Sequence, residues 1–175
     1  YHGSVDILIC NVGSGASVPP GKENLEEWHR MFALNFYSAV NVIESAKPIL
    51  KAGASIVCIS SICGSESIPG APITYSTAKA ALNSYVKSIS RYFGKLGIRI
   101  NAVAPGNVLF EGSVWESKLK SNPAITQKLI ESEVPLGDFA IPEDIAEAVL
   151  WLSSDKSKFV NGALFTIDGG QTRGL

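Results

Sequence analysis

The strongest constraint on this chain is an alternation. Short apolar runs that each end on small or turn-forming residues take turns with longer segments of helical period. Val5–Cys10 (VDILIC) ends on Asn11-Val12-Gly13, and Ser55–Ser60 (SIVCIS) runs into a Gly/Ser/Pro-rich stretch ending at Pro72. Ile98–Ala104 (IRINAVA) closes on Pro105-Gly106, and Ala163–Ile167 precedes Asp168-Gly169-Gly170. Apolar runs without polar alternation predict strands buried on both faces. From Glu23 to Leu50, Leu25, Trp28, Phe32, Asn35, Phe36, Ala39 and Ile43 fall on one helical stripe, which Pro48 should bend or end. Thr74–Phe93 carries Ala78, Leu82, Tyr85, Val86, Ile89 and Phe93 on one face, with Gly94 or Gly97 as its stop. Pro142 suits the first turn of a helix reaching Leu152, with Glu143 and Asp144 favourable near its start. Ser14–Gly21 reads as a flexible loop, and Asn107–Leu136 mixes polar residues with Phe110, Trp115 and Leu119 without a clear period. Strands alternating with helices imply an α/β fold, a doubly wound parallel sheet with helices on both faces. Residues 1–175 read as one such domain, or part of one.

Composition narrows the function. Fifteen basic against sixteen acidic residues leave a net charge of −1, so there is no broad electrostatic footprint for nucleic acid. With 46% hydrophobic and 18% charged residues the chain is too apolar for a disordered one. No apolar run approaches the ~20 residues of a membrane helix, so no membrane partner is expected. Three cysteines without framework spacing favour a reducing compartment, and a cytoplasmic location is expected. Cys10 and Cys58 fall in strands and read as small core residues, whereas Cys63 lies in a loop and is given no chemistry. Only His2 and His29 occur, so a metal site built on several histidines is excluded and none is expected. The chain opens on Tyr1 and its only methionine is Met31, which suggests that translation began upstream.

The most informative pair is Tyr75 and Lys79. At i and i+4 on a helix they share a face, and an ammonium near a phenol should lower its pKa towards the range useful for proton transfer. On an ordinary helix this spacing is a surface pair; what distinguishes it is the preceding strand, which ends at Ser60-Ser61, where open α/β sheets bind ligands. Ser61, fourteen residues before Tyr75, could donate to a substrate carbonyl oxygen. Asn35, polar on an apolar stripe, either satisfies a neighbouring backbone or holds a water that relays protons to Lys79. Gly13-Ser14-Gly15 follows a strand, but Val18-Pro19-Pro20 prevents a helix from opening there, so it is not read as a phosphate cradle.

Together these residues resemble the short-chain dehydrogenase/reductase family. Asn11-Val12-Gly13 is similar to its Asn-Asn-Ala-Gly motif. Asn35, Ser61, Tyr75 and Lys79 match its catalytic tetrad in order and approximate spacing. Asn101-Ala-Val-Ala-Pro105-Gly106-Asn-Val108 looks like its turn beside the nicotinamide, and Phe159-Val-Asn-Gly162 with Asp168-Gly-Gly170 resembles its C-terminal signature. The resemblance implies a Rossmann-like domain and an oxidoreductase that interconverts a secondary alcohol and a ketone with NADP or NAD, in the manner of a 3-oxoacyl-thioester reductase among other options. Tyr75 would be its general acid/base, Ser61 its carbonyl-orienting group, and Lys79 the cation that tunes Tyr75 and grips the nicotinamide ribose. Asn11, Val12, Gly13, Tyr75, Lys79, Pro105, Gly106 and Val108 would bind the cofactor. Leu109–Glu133, carrying Trp115, would be a lid over a small carbonyl or alcohol substrate. A homotetramer or homodimer is implied, with the Glu23–Leu50 and Thr74–Phe93 helices at an interface.

The chain departs from that pattern in several places. Val12 stands where Ala is usual, the Ser61–Tyr75 loop is one residue longer than common, and Phe110 replaces a frequent Thr. The glycine-rich opening turn and the residue that selects NAD or NADP do not occur. By resemblance the chain is the C-terminal portion of the domain, lacking about three βα units, and Val5–Cys10 would present an open apolar edge. The alternative is a truncated, non-catalytic remnant that serves as an interaction or structural module.

Overall fold

A computed structural model describes residues 3–174; Tyr1, His2 and Leu175 lie outside it. Strands β1 (Val5–Cys10), β2 (Leu50–Ile59), β3 (Arg99–Pro105) and β4 (Leu164–Ile167) form one sheet in the order β1-β2-β3-β4, with every neighbouring pair parallel. Helices α1 (Leu25–Phe32), α2 (Ser38–Ala46) and α3 (Ile73–Lys95) pack on one face and α6 (Pro142–Ser153) on the other. Successive residues of a strand point to opposite faces, and β2 supplies both layers. Ile56 and Cys58 join Ile43, Leu82 and Phe93 in one core, whereas Val57 joins Val103, Ile145 and Leu152 in the other. This is the α/β architecture expected from the alternation.

β1 differs from the expectation of a strand buried on both faces. Leu8 and Cys10 pack into the first core, but Ile7 and Ile9 on the opposite face are exposed. α6 reaches over β2 and β3 and leaves that side of β1 open.

The segment Glu23–Leu50 is not one helix. Asn24 caps α1 by accepting from the Glu27 amide, so Glu23 stays outside and Leu25, placed on the apolar stripe, is 77% exposed at the first turn. A π-helical turn at Ala33–Tyr37 then inserts an extra residue between α1 and α2. Met31, three residues after Trp28 and four before Asn35, is fully buried beside the stripe. Pro48 sits in a 3-10 turn at Lys47–Ile49, after which Leu50 already begins β2, five residues before the expected start. The register breaks between Val5↔Leu50 and Ile7↔Ser55, and the Gly53 amide donates to the Gly97 carbonyl, which explains the irregular start. α3 ends at Lys95 and is capped by Leu96, after which Gly97 takes φ +73°; Gly94 remains inside the helix.

The segment Asn107–Leu136 contains helices α4 (Val114–Ser121) and α5 (Pro123–Glu133). α4 is capped by the Ser113 hydroxyl accepting from the Glu116 amide, and α5 opens on Pro123 without a side-chain cap. Short helices of weak amphipathicity leave little period to read. β3 and β4 are locked by two asparagines. Asn101 donates to the Val160 carbonyl and accepts from the Ala163 amide, while Asn161 accepts from the Ile100 amide and donates to the Ser90 carbonyl of α3.

Candidate active site

The predicted residues gather at the C-terminal ends of β1 and β2, where helix α3 begins. Lys79 is 3% exposed, and its Nζ donates to the Ile59 carbonyl at 2.7 Å, which fixes the ammonium at the end of β2. Asn35, 1% exposed, sits at the centre of the π-helical turn. Its Oδ1 accepts from the Ser14 amide at 2.9 Å, and its Nδ2 donates to the carbonyls of Ser14 and Met31. Asn35 thus satisfies the loop after β1 rather than a strand. A β-carbon on Gly13 would lie 2.8 Å from Asn35 Oδ1 and 3.1 Å from Lys79 Nζ. A larger residue there would have to displace one of these two side chains.

Ser60 and Ser61 separate by direction. The Ser60 hydroxyl is turned to α3, donating to Asn83 Oδ1. Ser61 caps the short 3-10 turn Ile62–Gly64, accepting from the Cys63 amide, and its hydroxyl lies beside the Tyr75 phenol. The turn can approach because residue 64 has no side chain. A β-carbon on Gly64 would meet the Lys79 carbonyl carbon at 2.7 Å and the Ala80 nitrogen at 2.9 Å.

The pKa expectation for Tyr75 is corrected. Burial pushes its phenol up to about 12, outweighing the hydrogen bond from Ser61. Lys79 supplies no opposing pull, because its Nζ is bound to Ile59 and stands 5.9 Å from the centre of the Tyr75 ring. Burial also lowers Lys79 to about 8.

The loop after β1 is irregular but tied down. Gly15 packs 3.8 Å from the Tyr75 ring, measured from its would-be β-carbon, and Arg30 donates to the Ala16 carbonyl. The Ser17 hydroxyl bonds both Glu27 and Thr74. Asn11 and Val12 are exposed beside it. Pro105 is buried at the end of β3, and Gly106 lies against Asp168, whose Cβ would be 2.8 Å from an added β-carbon. Val108 forms an isolated bridge with Ala140. Phe110 is exposed, Trp115 meets Phe139 in a tilted contact with ring centroids 5.4 Å apart, and Lys118 Nζ lies 4.2 Å from the Trp115 ring centroid. Sequence reasoning missed Gly64 and Asn83, and it set Gly15 aside together with the phosphate-cradle reading of Gly13-Ser14-Gly15. Gly64, three residues after Ser61 in a turn, was the one signal available.

The whole described arrangement matches a known family. The family model described as enoyl-(acyl carrier protein) reductase matches residues 1–172. Isoepoxydon dehydrogenase patN of Penicillium expansum is 33% identical over 170 residues, covering 96% of this chain and 64% of its own length. The 3-oxoacyl-[acyl-carrier-protein] reductase FabG of Thermotoga maritima is 32% identical over 97% of this chain and 67% of its own. The chain belongs to the short-chain dehydrogenase/reductase family. A solved short chain dehydrogenase family protein from Francisella tularensis superposes with a TM-score of 0.88 at 32% identity, covering 97% of this chain and 72% of that one. The NADPH-bound short chain oxidoreductase of Pseudomonas aeruginosa PAO1, with an atypical catalytic center, gives 0.90 at 28% identity, covering 99% and 68%. The chain therefore spans about two thirds of the length of these relatives.

Proposed function

We propose that this chain is the catalytic portion of an NAD(P)-dependent oxidoreductase that interconverts a secondary alcohol and a ketone. The observation that carries the reading is the convergence of Ser61, Tyr75 and Lys79 on the strand ends, around a Gly13 backbone that a single β-carbon would obstruct. The residues fit a dinucleotide at its nicotinamide end. Gly13 and Gly106 keep the backbone low, and exposed Asn11 and Val12 with Pro105, Val108, Tyr75 and Lys79 would hold the cofactor. When bound, a reduced nicotinamide would supply the hydride that reaches the carbonyl carbon.

The protein's own groups manage the proton. Tyr75, protonated at neutral pH, gives its proton to the carbonyl oxygen, and Ser61 donates a hydrogen bond to the same oxygen. Lys79, anchored on the Ile59 carbonyl, would grip the nicotinamide ribose. Asn35 sets the loop whose Gly13 adjoins Lys79 and supports the path that returns a proton to Tyr75. The segment Leu109–Glu133, through α4 and α5, covers the substrate side. Relatives that are 3-oxoacyl-[acyl-carrier-protein] reductases make 3-oxoacyl thioesters the first substrate class to screen. Exposed apolar residues on α1 and α3, such as Leu25, Ile73 and Tyr92, support self-association as a homotetramer or homodimer.

The test is a carbonyl-reductase screen of the complete protein with NADPH and NADH, followed by Tyr75→Phe. Loss of the general acid should cost about 10²–10⁴-fold in rate. Full activity in Tyr75→Phe would overturn the assignment. Failure to bind either dinucleotide would favour the non-catalytic module instead.

A further inference from the structure

Two of the three cysteines face each other inside the first core. Cys10 ends β1 and Cys58 lies in β2, and they are register partners in the parallel ladder. Partners on neighbouring strands carry their side chains on the same face, and both residues belong to the same buried cluster. Neighbouring strands lie about 4.8 Å apart, inside the window of about 4.4–6.8 Å between α-carbons that a disulfide spans. The next register position is Ala102 on β3, and Ala39 lies in the same cluster, so small side chains flank the two sulfurs. Both cysteines are free thiols.

We propose that Cys10 and Cys58 form a reversible dithiol–disulfide pair, a redox modification site at the base of the loop that carries Gly13. The proposal stands on the strand register and does not depend on the catalytic reading above. Its location gives it reach into the site. Cys10 is three residues before Gly13, and Cys58 immediately precedes Ile59, whose carbonyl anchors Lys79.

The two thiols are not equivalent. Cys10 is 7% exposed at the end of its strand, whereas Cys58 is completely enclosed. The mutual interaction of the two thiols lowers the pKa of Cys10, and together with burial it raises that of Cys58. Cys10 is therefore the attacking group and Cys58 the resolving one. With a hydroperoxide as oxidant, the Cys10 thiolate attacks the outer peroxide oxygen and the O–O bond breaks. This leaves Cys10 sulfenic acid, and water or an alcohol departs with the thiol proton. The Cys58 sulfur then attacks the sulfenic sulfur, the S–O bond breaks and water leaves with the Cys58 proton. Two electrons pass from the sulfurs to the peroxide oxygens, and a thiol reductant reverses the step. Brief opening of the β1 end admits the oxidant.

The complete protein, folded, is exposed to hydrogen peroxide, alkylated in denaturant and digested without reductant. The expected map shows the Cys10 and Cys58 peptides joined, lighter by two hydrogen atoms than their sum, and separated again by dithiothreitol. Cys63, half-buried in the 3-10 turn and outside the ladder, should remain alkylated as a thiol. Cys10→Ser and Cys58→Ser should each abolish the joined peptide, and the wild-type map needs neither variant to fold. The proposal is overturned if both cysteines remain alkylated while Cys63 is consumed, or if they join only after unfolding.

Discussion

The site has two walls made in different ways. On the β2–α3 side, Ser61, Tyr75 and Lys79 are positioned by packing: the Ile62–Gly64 turn lies on the helix backbone at distances that leave no room for a methyl group. On the β1 side, Asn11–Ser17 is irregular, Val12 is 63% exposed, and position is set by individual hydrogen bonds to Asn35, Arg30 and Thr74. Packing constrains a wall from many directions at once, whereas a few directional bonds fix only the points they touch. The proton-handling groups stand on the packed wall; of the residues assigned to the cofactor, Asn11, Val12 and Gly13 stand on the hydrogen-bonded one, Tyr75 and Lys79 on the packed one, and Pro105, Gly106 and Val108 at and beyond the end of β3.

Substitutions on the packed wall should therefore cost most. Gly64→Val sets side-chain atoms against the backbone of Lys79 and Ala80, and should destabilise the fold by about 3 kcal/mol, at the upper part of the range for overpacking. An unchanged urea midpoint would show that the turn can simply lift away.

Lys79 gives the next largest effect, and it depends on pH. Its folded pKa of about 8 lies below its ordinary value of 10.5, so its contribution is present above 10.5 and is lost as pH falls through 8. From about pH 7 to about pH 9.5 the wild type should gain roughly 2 kcal/mol relative to Lys79→Met, a gain that Tyr75, raised from 10 to about 12, opposes only above pH 10. Parallel urea midpoints for the two proteins across that range would break the comparison, because they would place Lys79 in water.

The hydrogen-bonded wall should respond locally. Asn35→Ala removes three bonds from a buried side chain and should cost about 2 kcal/mol. Its signature is faster proteolysis within residues 11–19 at a protease concentration that leaves the wild-type loop intact. Val12→Ala, at an exposed position, should change stability by no more than about 0.5 kcal/mol by thermal melting.

Much of the fold was legible because it follows from periodicity. The ends of β1, β3 and β4, helix α6 and the body of α3 fall close to where apolar spacing puts them. The misreadings share a cause. The π-helical turn, the 3-10 turn after it and the early start of β2 depend on how one residue is accommodated against a neighbour, and a fixed period cannot anticipate an inserted residue. α4 and α5 were missed because short helices of weak amphipathicity leave little period to read. The candidate site was legible as a set of residues, since Asn35, Ser61, Tyr75 and Lys79 do approach the same strand ends.

The sequence by itself determined the class of fold, the order of its elements and the identities of the polar side chains at the strand ends, because these follow from local period and turn chemistry. Only the tertiary structure decided that Ser61 rather than Ser60 meets Tyr75, and that burial raises the phenol while Lys79 is bound to Ile59. It also decided that Cys10 and Cys58 are partners across a ladder. Direction, desolvation and strand register belong to groups distant in sequence, and they take a value only when the chain has closed on itself.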